Sequence, residues 1–243
     1  MDNNRKIPER TEQQSGSKIS RKNFFKYAGA TAVGAVAIGL YGCDDDGPTS
    51  PPMEDAVNLG TGNVAILNYA YALEQLEAAF YVQVMDNRFS GMTDEETNIL
   101  GDLRDHEVVH RDFFQVALGD SAIPGLTPNF GSIDFSSRSE VLGTAKTFED
   151  LGVSAYNGQG RFIDTSSDAG LTYLLLAGKI VSVEARHASA IRDLINPLSA
   201  DFAGDDIIDN NGLEQVNNSS AVLSAAGNFI EEEIDFSGMP DQQ

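Results

Sequence analysis

The chain has 243 residues, 41% of them hydrophobic, enough for one sizeable domain with appendages, and its 16 Lys+Arg against 37 Asp+Glu give a formal net charge of −21. So acidic a surface repels phosphates, which excludes nucleic acid as a partner and disfavours docking of the protein body on anionic lipid headgroups. A single cysteine, Cys43, excludes an intrachain disulfide, and without a second thiolate a cysteine-held zinc or iron–sulfur cluster is excluded within this sequence.

The charge is uneven: residues 1–42 hold seven Lys/Arg against three Asp/Glu, leaving nine against 34, a net −25, for the remainder. The basic stretch Ser20-Arg21-Lys22-Asn23-Phe24-Phe25-Lys26 is followed by an apolar run from Tyr27 to Gly42. That run is 16 residues long, short of the about 20 that span a bilayer. A basic region, an apolar region and then small residues make an export signal, expected over 1–42. The segment resembles a twin-arginine signal in which Lys22 stands in place of the second arginine, so the export route stays open. Leu40-Tyr41-Gly42-Cys43 resembles a lipobox, with Cys43 as the lipidated residue; an uncleaved anchor helix is the alternative. Residues 43–57 are too polar and Pro-rich to fold and read as a tether. Together these features predict an exported protein, a periplasmic or cell-surface lipoprotein of a bacterium. Its only membrane contact would be the signal or the lipid.

From residue 58 to 196 the pattern is helical. The first helix is expected from about Asn63 to Arg88, with an inner face that includes Ile66, Ala70, Leu73, Leu76, Phe80 and Val84. Ser90-Gly91 breaks it. Thr93 with Glu96 is a capping box for a second helix ending near Gly119. A third starts at Ser137 or Ser139 and runs to about Tyr156, where Gly158 and Gly160 loosen it. Ser166-Ser167-Asp168 caps a fourth, which Pro197 stops. The 17 residues from 120 to 136 lack periodicity but reach about 56 Å when extended, more than the about 38 Å of a 25-residue helix. The connection can therefore cross back along a four-helix bundle. Residues 197–243 read as an acidic C-terminal extension: a solvated tail with one short helical segment, about Ala221 to Glu233, on the bundle. Asp205 to Gly212 does not fit a calcium loop.

The bundle carries a repeated polar pattern. Glu107…His110 and Glu184…His187 are Glu-x-x-His pairs, and a spacing of three puts both side chains on one helix face. Glu74…Tyr81 and Glu149…Tyr156 are Glu-x6-Tyr pairs, nearly two turns apart and again on one face. The order repeats with offsets of 75 and 77 residues, an internal duplication of a helical hairpin. Depth agrees: Glu74 lies 17 residues before Gly91 and Glu107 lies 16 after it, while Glu149 and Glu184 each lie 17 from Ser166-Ser167. All four carboxylates thus sit roughly 26 Å from their turns, in mid-bundle. Four buried carboxylates cost several kcal/mol each unless paired, and two divalent cations cancel them while the histidines stay neutral. Carboxylate with imidazole and no thiolate suits iron, then manganese, with zinc also allowed.

The predicted ligands are therefore Glu74, Glu107, His110, Glu149, Glu184 and His187. Glu77 shares the face of Glu74 and competes with it, but its counterpart in the repeat is Gly152, which favours Glu74. Tyr81 and Tyr156 either hydrogen-bond ligand carboxylates across the bundle or are ordinary buried tyrosines. His106, about 40° around the helix from His110, either supports a ligand or is simply exposed.

Four stretches carry a family likeness: Leu73 to Tyr81 (LEQLEAAFY), Asp105 to His110 (DHEVVH), Phe148 to Tyr156 (FEDLGVSAY) and Val183 to Ala188 (VEARHA). With them, residues 64–195 resemble bacterial exported ferritin-like domain proteins, a branch that includes desiccation-associated proteins. The resemblance implies an all-α, ferritin-like four-helix bundle with one long crossover that binds metal. It leaves three functions open: oxidation of Fe(II) with O2 or H2O2, a non-catalytic stress or desiccation role in the envelope, and manganese catalase-like dismutation of peroxide. Metal ions and O2 or H2O2 are the expected partners. The oligomeric state is open, a dimer included.

Overall fold

The computed structural model describes residues 56–242. The export signal, the Arg21-Lys22 pair, Cys43 and nearly all of the expected tether lie outside the described residues. Four long helices make the bundle: α1 (Gly62–Asp86), α2 (Asp94–Leu118), α3 (Arg138–Gly160) and α4 (Asp168–Ile195). A short α5 (Ser219–Ala226) follows, and β1 (Val57–Asn58) pairs in parallel with β2 (Ile234–Asp235). No described helix is long and apolar enough to cross a membrane.

The helix ends follow local chemistry. At the start of α2 the Thr93 hydroxyl accepts from the Glu96 amide while the Glu96 carboxylate accepts from the Thr93 amide, satisfying two orphan donors. Ser137 and Ser167 cap α3 and α4 through their hydroxyls. Gly119 ends α2 with φ of 55°, a conformation that suits a residue without Cβ. The third helix is longer than the sequence predicts, running through Gly158 to Gly160. Gly158 does not loosen it. A Cβ there would lie 1.9 Å from the Asn217 carbonyl oxygen, so the glycine admits the backbone of the C-terminal extension.

Connection 119–137 runs along α1. Asn68, buried, accepts from the Ile123 amide and donates to the carbonyls of Leu59 and Ser121. Gln75 accepts from the Leu126 amide. Higher up, Phe130 and Phe135 pack on Phe80 with ring centroids 5.9 Å away in each case. The chain thus climbs from Asn68 to Phe80, about 18 Å along the helix axis, before α3 begins. At the far end Asp164, after α3, exchanges two hydrogen bonds with Asn63 at the start of α1. The helices run up, down, down, up, the one-crossover arrangement.

This path explains why α1 is buried nearly all round. The helix partners α2 and α3, and the crossover and α5 cover the rest. An apolar stripe is not needed on such a helix, since no face meets water. The extension after residue 196 is more structured than its composition suggests. Its helix is shorter than expected, stopping at Ala226, but Thr127 binds Glu232, Gln159 and Ser219 donate to Asp241, and Asn217 donates to Ser154. Buried Arg192 on α4 reaches Asp150 on α3 at 2.7 Å and Asp206 of the extension at 2.6 Å, joining three segments.

Candidate metal centre

Each helix contributes at mid-height. Glu74 comes from α1, Glu107 and His110 from α2, Glu149 from α3, and Glu184 and His187 from α4. All four carboxylates are completely buried, and His187 is nearly so. Their ligating atoms form two sets, Glu74–Glu107–His110–Glu184 and Glu107–Glu149–Glu184–His187, each within a span of 4.8 Å. Glu107 and Glu184 belong to both.

The distances show a pseudo-twofold pattern. His110 Nδ1 lies 3.0 Å from Glu184 Oε1, 3.3 Å from Glu74 Oε2 and 3.5 Å from Glu107 Oε2. His187 Nδ1 lies 2.7 Å from Glu107 Oε1, 3.4 Å from Glu149 Oε2 and 3.6 Å from Glu184 Oε2. Each shared carboxylate therefore sends one oxygen to each histidine. Close as these approaches are, both Nδ1 atoms, both oxygens of Glu107 and of Glu184, Glu74 Oε2 and Glu149 Oε2 have no aligned hydrogen-bond partner among the described residues. Eight buried polar atoms converging without hydrogen bonds are unstable alone and well suited to cations.

Protons share the charge among these groups when no metal does. Burial opposes a charge on either histidine, but close contact with Glu107, Glu184 and Glu74 pushes His110 up to about 12, and contact with Glu107, Glu149 and Glu184 pushes His187 equally far. These pulls are electrostatic contact rather than aligned hydrogen bonding. Burial would raise Glu107, but the two histidines bring it down to about 2. Glu149 is raised to about 8 by burial, against the pull of His187, and Glu74 is held well above the usual carboxylate range by burial and then by the charge of Glu184.

Around the sets, Tyr156 on α3 donates to Glu74 Oε1 and Tyr81 on α1 donates to Glu149 Oε1. Each tyrosine serves the carboxylate of the opposite hairpin and leaves one oxygen for the cluster. His106 is exposed, yet its Nδ1 lies 2.9 Å from His187 Nε2, the nitrogen facing away from the carboxylates. Glu77 is buried beside the cluster but outside both sets. Burial and then the charges of Glu184, Glu107, Glu149 and Glu74 hold its carboxyl well above the usual range. It faces Gly152, where a Cβ would lie 3.0 Å from Glu77 Oε1. The duplication thus places an acid on one side and the space for it on the other. The half-buried Ala117 and Ala177 carry no sequence signal beyond their size at helical spacing; with the inner-face Ala70 and with Ala155 they line a cavity described below.

A four-helix, one-crossover bundle with two carboxylate–histidine sets at its centre defines a ferritin-like protein whose core is compatible with a di-metal site. Residues 62–197, more than half of the chain, match the profile of the ferritin-like domain family, and the chain belongs to that family. Comparison with curated proteins finds no match.

Proposed function

We propose that this protein holds two iron ions in the buried cluster and oxidises Fe(II) with O2 or H2O2, at the cell envelope to which Cys43 tethers it. One observation carries the reading: Glu107 and Glu184 each direct one oxygen to each histidine-centred set. Glu107 and Glu184 would be shared between the two ions, while Glu74 with His110 and Glu149 with His187 would each hold one of them. Four carboxylates would cancel the charge of two divalent ions, a role that protons on the histidines and the raised carboxyls fill without metal.

Bound iron supplies the electrons, with the balance 2 Fe(II) + O2 + 2 H+ → 2 Fe(III) + H2O2. The protein's own residues do the rest. The histidines would hold metal as neutral rings, so the protons that the carboxylates now keep on them would leave on loading. Tyr81 and Tyr156 orient the terminal carboxylates, and His106 fixes the ring of His187. Complete burial of the four carboxylates keeps bulk water from the reacting centre. The same donor set suits manganese, which would direct the site to dismutation, 2 H2O2 → 2 H2O + O2.

Metal analysis of the purified chain, with absorbance after Fe(II) meets O2 or H2O2, tests this. About two irons per chain are expected, with turnover lost in Glu107→Ala. Retained manganese with oxygen release from peroxide would move the assignment to dismutation. A chain that binds neither metal and oxidises nothing sinks the enzymatic reading and leaves the envelope-protection role. Labelling with a radioactive fatty acid in the wild type but not in Cys43→Ser tests the tether separately.

A further inference from the structure

A cavity of about 30 Å3 lies between the four helices, below the carboxylate cluster. Its outer end is the seam between α2 and α4, where Phe113, Ala117, Tyr173 and Ala177 are half-buried. Its inner end is formed by Leu73, Ile180 and Tyr156. Leu73 adjoins Glu74 in sequence, and Tyr156 donates to Glu74. Gln159 closes a further wall, its amide donating to Asp241 of the C-terminal extension. The surface the walls expose is apolar, with the Tyr69 hydroxyl and Gln159 Oε1 buried in them, and small residues at Ala70, Ala117, Ala155 and Ala177 keep the space open.

Size and polarity choose the guest. One water needs about 10–15 Å3 of such room and two to four polar partners; the lining residues bring two polar atoms unpartnered among the described residues, Tyr69 Oη and Gln159 Oε1, both sunk in walls whose exposed surface is apolar, so the cavity favours an apolar guest over water. About 150 Å3 admits benzene, so a cavity of 30 Å3 is too small for a ring or an acyl chain. A metal cation entering here would lose its hydration with nothing to replace it. What fits is a small apolar molecule of two atoms. We propose that the cavity is a binding site for one molecule of an apolar diatomic gas, dioxygen, and that it delivers the gas from the α2–α4 seam to the centre beside Glu74. The delivery half rests on the function proposed above; the binding half does not.

Xenon is the probe, because it enters dry apolar cavities by dispersion alone and takes no part in redox chemistry. Crystals of the full chain under xenon pressure should show one atom among Leu73, Ala117, Tyr156 and Ala177. Ala177→Leu and Ala117→Leu, both at half-buried positions, should each abolish that density while leaving melting temperature and metal content near wild type. The dependence of Fe(II) oxidation on O2 concentration should fall by roughly tenfold or more, while oxidation by polar H2O2 stays unchanged. Absence of xenon from the wild-type cavity overturns the site, whatever the activity. Xenon bound and lost on filling, with an unaltered O2 rate, overturns delivery. Xenon bound in a chain that never oxidises Fe(II) supports the gas site and refutes the proposed oxidation instead.

Discussion

Tyr156→Phe is the sharpest probe of how the cluster is held. It removes one hydroxyl and no volume to speak of. Tyr156 is largely buried, and its proton goes to Glu74 Oε1, an oxygen with no other partner among the described residues. An acceptor left buried and unsatisfied costs about 1–3 kcal/mol. In the metal-free protein burial first and the charge of Glu184 second raise the Glu74 carboxyl well above its usual range, which favours its neutral form, so the low end applies. For a unit of this size that lowers the melting temperature by about 2–4 °C. Metal binding should suffer more, since loss of an orienting partner costs about 10–100-fold in affinity. The loss should fall on one ion only, because Glu74 belongs to the His110 set and not to the His187 set. Tyr81→Phe should do the reverse, weakening the set that contains Glu149. Anaerobic titration calorimetry with Mn(II) resolves the two sites. If Tyr156→Phe leaves both affinities unchanged, or weakens both equally, the tyrosines do not orient the carboxylates set by set.

Stability should respond to pH in opposite senses with and without metal. In the metal-free fold Glu149 is raised from 4.5 to about 8, so its contribution is complete below pH 4.5 and lost as pH rises through 8. His110 and His187, raised from 6.5 to about 12, contribute fully below 6.5 and lose that contribution as pH climbs towards 12. Glu107, lowered to about 2, loses its share only as pH falls from 4.5 towards 2. Chelated protein should therefore melt lower at pH 9 than at pH 5, whereas loaded protein gains with pH because uptake releases protons; calorimetric profiles that superimpose would contradict the cluster. Gly158→Ala should displace the extension at Asn217, costing about 1–3 kcal/mol, with faster hydrogen exchange at the Asn217 amide but undiminished metal content. Arg192→Leu strands Asp150 and Asp206 and should cost about 3 kcal/mol in urea unfolding, the low end for a broken buried pair because Asp206 is more than half exposed.

The parts of this protein legible in its sequence are those that repeat with helical period. The offset of 75 residues linking Glu74 to Glu149, and of 77 linking Glu107 to Glu184, fixes height as well as face, because rise per residue is constant in a helix. The capping box at Thr93 and Glu96 is equally local and equally readable. Long-range contact is what hides. Gly158 looks like a helix breaker by propensity, but its helix continues, since the backbone of Asn217 rests where a Cβ would stand. The pairing of Val57–Asn58 with Ile234–Asp235 joins segments 177 residues apart through two residues each, too short for any pattern. His106 is undecidable from spacing alone because it is both exposed and bonded to His187, a combination that no facial angle reveals.

The duplication has a further consequence for how the two halves stay together. Hairpin α1–α2 carries three of the four donors around His110 and one of those around His187; hairpin α3–α4 carries the converse. Neither half can complete either set by itself. Two ions placed there would work as rivets through both plates, so that separating the hairpins means breaking both sets at once. A lone hairpin of this kind regains the full donor complement only by pairing with its own copy about a twofold axis. The single chain reads as such a pair made permanent, with the crossover along α1 as the strap that fixes one half on the other.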